Sequence, residues 1–130
     1  MTAANSSLES DKPRLRAEID RLPALVSYWD TRQRARFGNQ AYTRWFGVDP
    51  SNMAGMHLRD VLGAQQYGLS LPFVEAALHG EEQRFERVGP KLDGADPGEA
   101  LVQYFPDIVD GQVRGFYSLT SDIAGSKQNA

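Results

Sequence analysis

The chain has 130 residues, 41% hydrophobic and 24% charged, which fits one globular domain of ordinary composition with a real core. Its net charge of −3 and pI near 5.3 argue against nucleic-acid binding, which needs a concentrated basic face. The absence of cysteine excludes disulfides, thiolate metal sites, cysteine nucleophiles and a photoactive flavin that forms a cysteinyl adduct.

Residues 1–9 read as a disordered leader by composition. The spacing of Leu15, Ile19 and Leu22 predicts a short helix over 10–22, with Ser10 or Asp11 as cap and Pro13 in its first turn. Pro23 ends it. Leu25–Trp29 reads as a strand, Asp30–Gln33 as a polar turn and Arg34–Phe37 as the returning strand of a hairpin. Asn39 is expected to cap a helix over Gln40–Phe46, with Tyr42, Trp45 and Phe46 on one side and Gly47 at its end. A helical segment around His57–Leu62 presents Leu58, Val61 and Leu62. A longer helix is expected over Ser70–His79, with Phe73, Ala76, Ala77 and Leu78 on its stripe and Gly80 as its stop.

The last third changes period. Strands are expected over Glu81–Lys91, Ala100–Phe105 and Gln112–Asp122, joined by turns at Asp93–Gly98 and between Pro106 and Gly111. In the last strand Val113, Gly115, Tyr117 and Leu119 share one face, and Arg114, Phe116, Ser118 and Thr120 the other. Two strands, several short helices and three strands make an α+β domain. The first hairpin must join the same sheet as the last three strands, because two strands alone are only marginally stable. The tail, 125–130, is polar and reads as a frayed end or the start of a linker.

Four strings in this order resemble a PAS domain, from about Pro23 onward, with the domain set at 23–124. They are FGNQAYTRWFGVDP (Phe37–Pro50), GMHLRDVLG (Gly55–Gly63), ALHGE (Ala77–Glu81) and DGQVRGFYSLTSDIA (Asp110–Ala124), the last with Ala124 where the family's terminal signature has threonine. The resemblance implies a five-stranded antiparallel sheet in the order 2-1-5-4-3, helices over one face, and an N-terminal cap helix. It places Tyr28, Phe37, Tyr42, Trp45, Leu58, Leu62, Phe73, Leu78, Phe85, Tyr104, Tyr117 and Leu119 on the lid and inner sheet, as candidates to line a ligand pocket. The same large side chains also suit a filled core, each contributing roughly 1.5–3 kcal/mol on burial. By resemblance Asp122 and Ile123 form the signal-output end. Leu15, Ile19, Leu22 and Phe116 are candidates for a homodimer interface.

The function this implies is a cytoplasmic sensor that binds a small ligand or partner and passes the signal to an effector domain or signalling partner. It is expected to be non-enzymatic, without nucleic-acid or membrane partners, and to be the N-terminal part of a multidomain bacterial signalling protein. The competing class is a dimerisation module with a filled core. A small cone-fold isomerase is a lesser alternative, because Asp30, Asp60, Asp93 and Asp107 all occupy turn-like or exposed contexts. His57 and His79 read as surface residues, so nothing in the sequence supports haem, and no metal ligand set is expected. No segment reaches the roughly 18 apolar residues of a membrane span, and the N-terminus lacks a signal-peptide core.

Overall fold

The computed structural model describes residues 17–89 and 98–122. Helical residues 17–21 precede β1 (Ala24–Asp30) and β2 (Ala35–Gly38). Then come α1 (Ala41–Phe46), a 3-10 turn at Pro50–Asn52, α2 (Leu58–Leu62) and α3 (Ala64–Leu78). Three strands close the fold: β3 (Gln83–Gly89), β4 (Gly98–Val109) and β5 (Gln112–Asp122). All pairings are antiparallel and the order is β2-β1-β5-β4-β3, as the resemblance implies. The helices pack on one face of this α+β sheet, and the core lies between the two layers.

Side-chain alternation decides which strand residues meet the helices. In β1 the buried residues are Leu25, Ser27 and Trp29; in β4 they are Ala100, Val102 and Tyr104; in β5 they are Phe116, Ser118 and Thr120. From the helical side come Ala41, Tyr42, Leu58, Val61, Leu62, Val74 and Ala77. Phe116 is fully buried in this core. Its expected place on a dimer surface is therefore corrected: it shares the inner face with Ser118 and Thr120.

Asn39 holds the lower end of the hairpin. Its Oδ1 accepts from the Val26 N–H (3.1 Å), and its Nδ2 donates to the carbonyls of Ala24 (2.8 Å) and Ile19 (3.0 Å). It thus ties β1 and the N-terminal helical residues to the start of α1. It is not the side-chain cap that its position suggests. Gln40 takes the N-cap position, and its N–H donates to the Asp20 carboxylate at 3.0 Å. Ile19 is half-buried beside this junction and Leu22 is exposed.

Three boundaries differ from expectation. The long helix starts at Ala64, not Ser70, and contains Gly68 and Pro72. Pro72 has no N–H to give the Gly68 carbonyl, so packing rather than propensity sustains the helix there. β4 runs through Pro106 to Val109. Pro106 is tolerated because β3 pairs with β4 only as far as Tyr104, leaving that part of β4 without a partner on one side. The turn is then Asp110–Gly111 alone, with φ of 53° and 78°, the conformation of a type I′ hairpin. Leu15, Asp93, Ile123 and the expected leader and tail lie outside the described residues, as does the side chain of Asp122.

Asn39→Ala removes the side-chain partner of the Val26 N–H and of the Ala24 and Ile19 carbonyls, of which Ile19 keeps its bond from the Leu22 N–H. It is expected to lower stability by about 2–3 kcal/mol, read as a fall in the urea midpoint at unchanged slope. A loss within experimental error would mean that water replaces all three bonds.

Candidate ligand site between helices and sheet

Apolar rings and two polar clusters make up the contact between the helices and the sheet. The rings form a continuous series. Phe73 of α3 stacks on Phe85 of β3 (centroids 3.9 Å apart, planes 8°), Phe85 meets Tyr104 of β4 edge-on (5.3 Å, 74°), and Tyr104 tilts against Phe116 of β5 (4.7 Å, 48°). Such pairs add to the burial of each ring.

The first polar cluster sits on Ser27. Its Oγ accepts from Trp29 Nε1 (2.7 Å) and from the Tyr42 hydroxyl (2.8 Å). Burial pushes the Tyr42 hydroxyl up to about 12, against the opposing influence of Ser27 and of the Arg87 charge.

The second cluster is built on Arg87. β3 turns this side chain inward two residues after Phe85, and it is only 9% exposed. Its Nη1 donates to Ser70 Oγ at 3.0 Å, and the Tyr104 hydroxyl is hydrogen-bonded to both Ser70 and Arg87. Burial raises Tyr104 above the ordinary tyrosine range, while the Arg87 charge and these hydrogen bonds work against the rise. Among the described residues, the partners of Arg87 are hydroxyls, not a carboxylate. Ser70 lies between Gly68 and Pro72, in the weakened part of α3.

The sequence-derived candidates divide in two. Tyr42, Leu58, Leu62 and Tyr104 are buried in the core, and Trp45, Phe73, Leu78 and Phe85 pack against it. Tyr28, Phe37, Tyr117 and Leu119 lie on the opposite face of the sheet, which corrects their expected place on its inner side. Tyr28 is directly across from Phe37 and Tyr117 in the sheet, and directly opposite residues share a face. Tyr28 and Tyr117 meet edge-on at 4.7 Å, and Tyr117 is 51% exposed. The Tyr28 hydroxyl donates to Asp107 at 2.7 Å. Burial, then this bond, raises Tyr28 well above the usual tyrosine range.

Sequence reasoning missed Ser27, Trp29, Ser70 and Arg87. The signal for Arg87 is present: it follows Phe85 by two in a strand, and the period of two turns both to one side.

The remaining candidates take structural roles. His57 Nδ1 accepts from the Arg59 N–H (3.1 Å) and caps α2. His79 Nδ1 lies 2.7 Å from the Glu75 carbonyl, at the end of α3. Asp30 sits in the hairpin turn; Asp60 is exposed in the first turn of α2. Burial pushes the Asp30 carboxyl up, but the N–H groups of Arg34 and Arg32 and the Arg36 guanidinium outweigh it and hold it below the ordinary range.

A helical lid over a 2-1-5-4-3 antiparallel sheet, with a partly polar interior, defines a PAS-type signalling module. The model of the PAS fold matches residues 19–128, and the chain belongs to that family. Among solved structures it is similar to a domain of an HTR-like protein from Haloarcula marismortui, at 20% identity and a TM-score of 0.62, over 78% of this chain and 99% of that one. The PAS domain of Bordetella pertussis BvgS is similar at 18% identity and a TM-score of 0.62, over 93% and 99%. VqmA of Vibrio cholerae, in a complex with ligand and DNA, is similar at 16% identity and a TM-score of 0.73, over 85% of this chain but only 51% of that one. A comparison with curated proteins finds no match. With a DNA-bound protein among these structures, net charge does not suffice to exclude nucleic acid as a partner. No helix among the described residues is long and apolar enough to cross a membrane.

The raised Tyr42 fixes the sign of a pH dependence. Above about pH 10 the unfolded chain releases this proton while the folded chain keeps it, so stability declines as pH rises from there toward about 12. Urea midpoints across this window are expected to fall, and to fall less steeply in Tyr42→Phe. An identical slope in the variant would assign the loss to other groups.

Proposed function

We propose that the chain is a sensory module that takes up a small molecule bearing a carboxylate or similar oxyanion between α3 and the sheet, with Arg87 as its anchor. The observation that carries this reading is a guanidinium buried among hydroxyls and rings. A buried charge is costly unless it is paired, and an arginine fork matches a carboxylate in two parallel hydrogen bonds. Apolar walls with a few convergent polar groups are the usual make-up of a small-molecule site. Gly68 and Pro72, which weaken the hydrogen bonding of α3 beside Ser70, support access through local movement of the lid.

On this reading the ring series from Phe73 to Phe116 couples the lid to β5, whose end at Asp122 and Ile123 leads to an effector or signalling partner. The ligand can shift the module only by binding one arrangement better than the other. The working form is a homodimer in the cytoplasm and acts without catalysis. Exposed Leu22, Phe105 and Tyr117 support a pairing surface on the outer side.

A second reading, a dimerisation module that senses nothing, is favoured by how fully Trp29, Tyr104 and Phe116 are buried. Native mass spectrometry and thermal shift against a panel of small carboxylates separate the two. The proposal expects a bound carboxylate or an upward shift, about 2.7 kcal/mol at a hundredfold excess over Kd. It expects Arg87→Met to fold and to lose that response. A bare chain with no shift from any carboxylate favours the filled-core module, and a response unchanged in Arg87→Met removes Arg87 as the anchor.

A further inference from the structure

A surface cleft of about 580 Å³ opens at the turn end of the β1–β2 hairpin, and its lining shares no residue with the Arg87 cluster. Arg32, Arg34, Arg36 and Arg114 line it, against the single carboxylate of Asp30. In a chain of net charge −3, this is a strong local reversal of sign. We propose that the cleft binds a small phosphate-bearing molecule, with Arg32 and Arg114 gripping the phosphate.

Two of the four guanidiniums are already engaged and shape the wall. Arg34 Nη1 donates to the Gly55 carbonyl (2.9 Å), and Arg36 Nε donates to Asp30 Oδ2 (3.2 Å). Arg32 and Arg114 are exposed, and among the described residues their guanidiniums have no partner. The turn that presents Arg32 is held by its own hydrogen bonds. Asp30 Oδ1 accepts from the N–H groups of Arg32 (2.9 Å) and Arg34 (3.0 Å), and the Gln33 N–H donates to the Asp30 carbonyl (2.9 Å). Gly55 is fixed on the other wall: its N–H donates to the Ala35 carbonyl at 2.8 Å. A preformed site loses little freedom on binding.

Phosphate suits this geometry. It offers several oxygens and up to two charges to separate guanidinium forks, where one carboxylate would satisfy a single fork. The volume lies within the usual range for small-molecule sites, roughly 300–1,000 Å³. Arg32, Arg34, Arg36 and Arg114 converge on one concavity, which fits a compact ligand better than the extended backbone of a nucleic acid.

The test is calorimetric titration of the full chain with pyrophosphate, with ADP, and with single-stranded oligonucleotides of increasing length. Pyrophosphate and ADP are expected to bind one to one and to compete. The double variant Arg32→Gln, Arg114→Gln is expected to lose about tenfold in affinity or more, as removal of charge-assisted hydrogen bonds implies, with unchanged Tm. Arg87→Met is expected to leave this binding intact. In the wild-type chain the Nε–Hε resonances of Arg32 and Arg114 should move on adding pyrophosphate, a readout that no variant's folding can disturb. Absence of binding, equal affinity in the double variant, or unmoved arginine resonances would overturn the proposal. So would oligonucleotide binding that strengthens with length and resists pyrophosphate, which would make the cleft part of a nucleic-acid surface.

Discussion

The register of β5 is the constraint on which the rest of the molecule depends. β5 is bonded to β1 along one edge and to β4 along the other, so it joins the N-terminal hairpin to the C-terminal strands. A slip of one residue would exchange Phe116, Ser118 and Thr120 for Tyr117 and Leu119 on the inner face. Three features resist that slip. The Asp110–Gly111 turn sets the pairing of Val109 with Gln112. Gly115 faces Asp30, where an added Cβ would collide with the Trp29 carbonyl and the Tyr28 ring. Tyr28 packs against Tyr117 and bonds Asp107, linking β1, β5 and β4 on the outer side. The register thus decides the chemistry of the interior as well as its shape.

The identity of every strand was legible in the sequence, because turns at glycine and proline and a change of period mark them out, whereas the sheet order came from the resemblance to the PAS family. The inner and outer faces were less legible. In β5 Tyr117 and Leu119 lie outside, while Phe116 lies inside together with the small Ser118 and Thr120. The resemblance sent Tyr117 and Leu119 inward and Phe116 outward, and the structure reverses both. The resemblance also placed Tyr28 and Phe37 inward, whereas they lie outside, with Tyr28 paired to both Phe37 and Tyr117. The early start of α3 was hidden by Gly68 and Pro72, which oppose helix by propensity but are carried here by packing of Val74 and Ala77 on the core. Asn39 was recognised as a special position, yet its partners, Ala24, Val26 and Ile19, come from segments that only the tertiary fold brings near.

Composition averages over the surface, and the hairpin end shows what averaging conceals. Arg32, Arg34 and Arg36 alternate along one short stretch, and β5 brings Arg114 beside them through the pairing of Gly115 with Asp30. Asp30 prevents this cluster from being purely repulsive, since it neutralises Arg36 and receives two turn N–H groups. The exposed edge of β2 is covered at the same place. Ala35 exchanges hydrogen bonds with Gly55 and Met56, and Arg34 bridges to His57. That cover removes a free strand edge, a common route to unwanted association.

Arg87 bears on the two readings of the interior on energetic grounds. A module that only dimerises gains nothing from an inward arginine on β3, and a methionine or leucine there would avoid the cost of desolvating a charge. Ser70 and Tyr104 lessen that cost with hydrogen bonds but bring no opposite charge of their own. On the proposed reading an anion completes the satisfaction of this cluster, which would give the differential affinity that a sensor requires, because only a ligand that changes the balance between two arrangements can move it. The same reasoning explains why the polar groups lie across elements rather than within one. Ser70 belongs to the lid, Arg87 to β3 and Tyr104 to β4, so any change in how they are satisfied acts on the contact between lid and sheet.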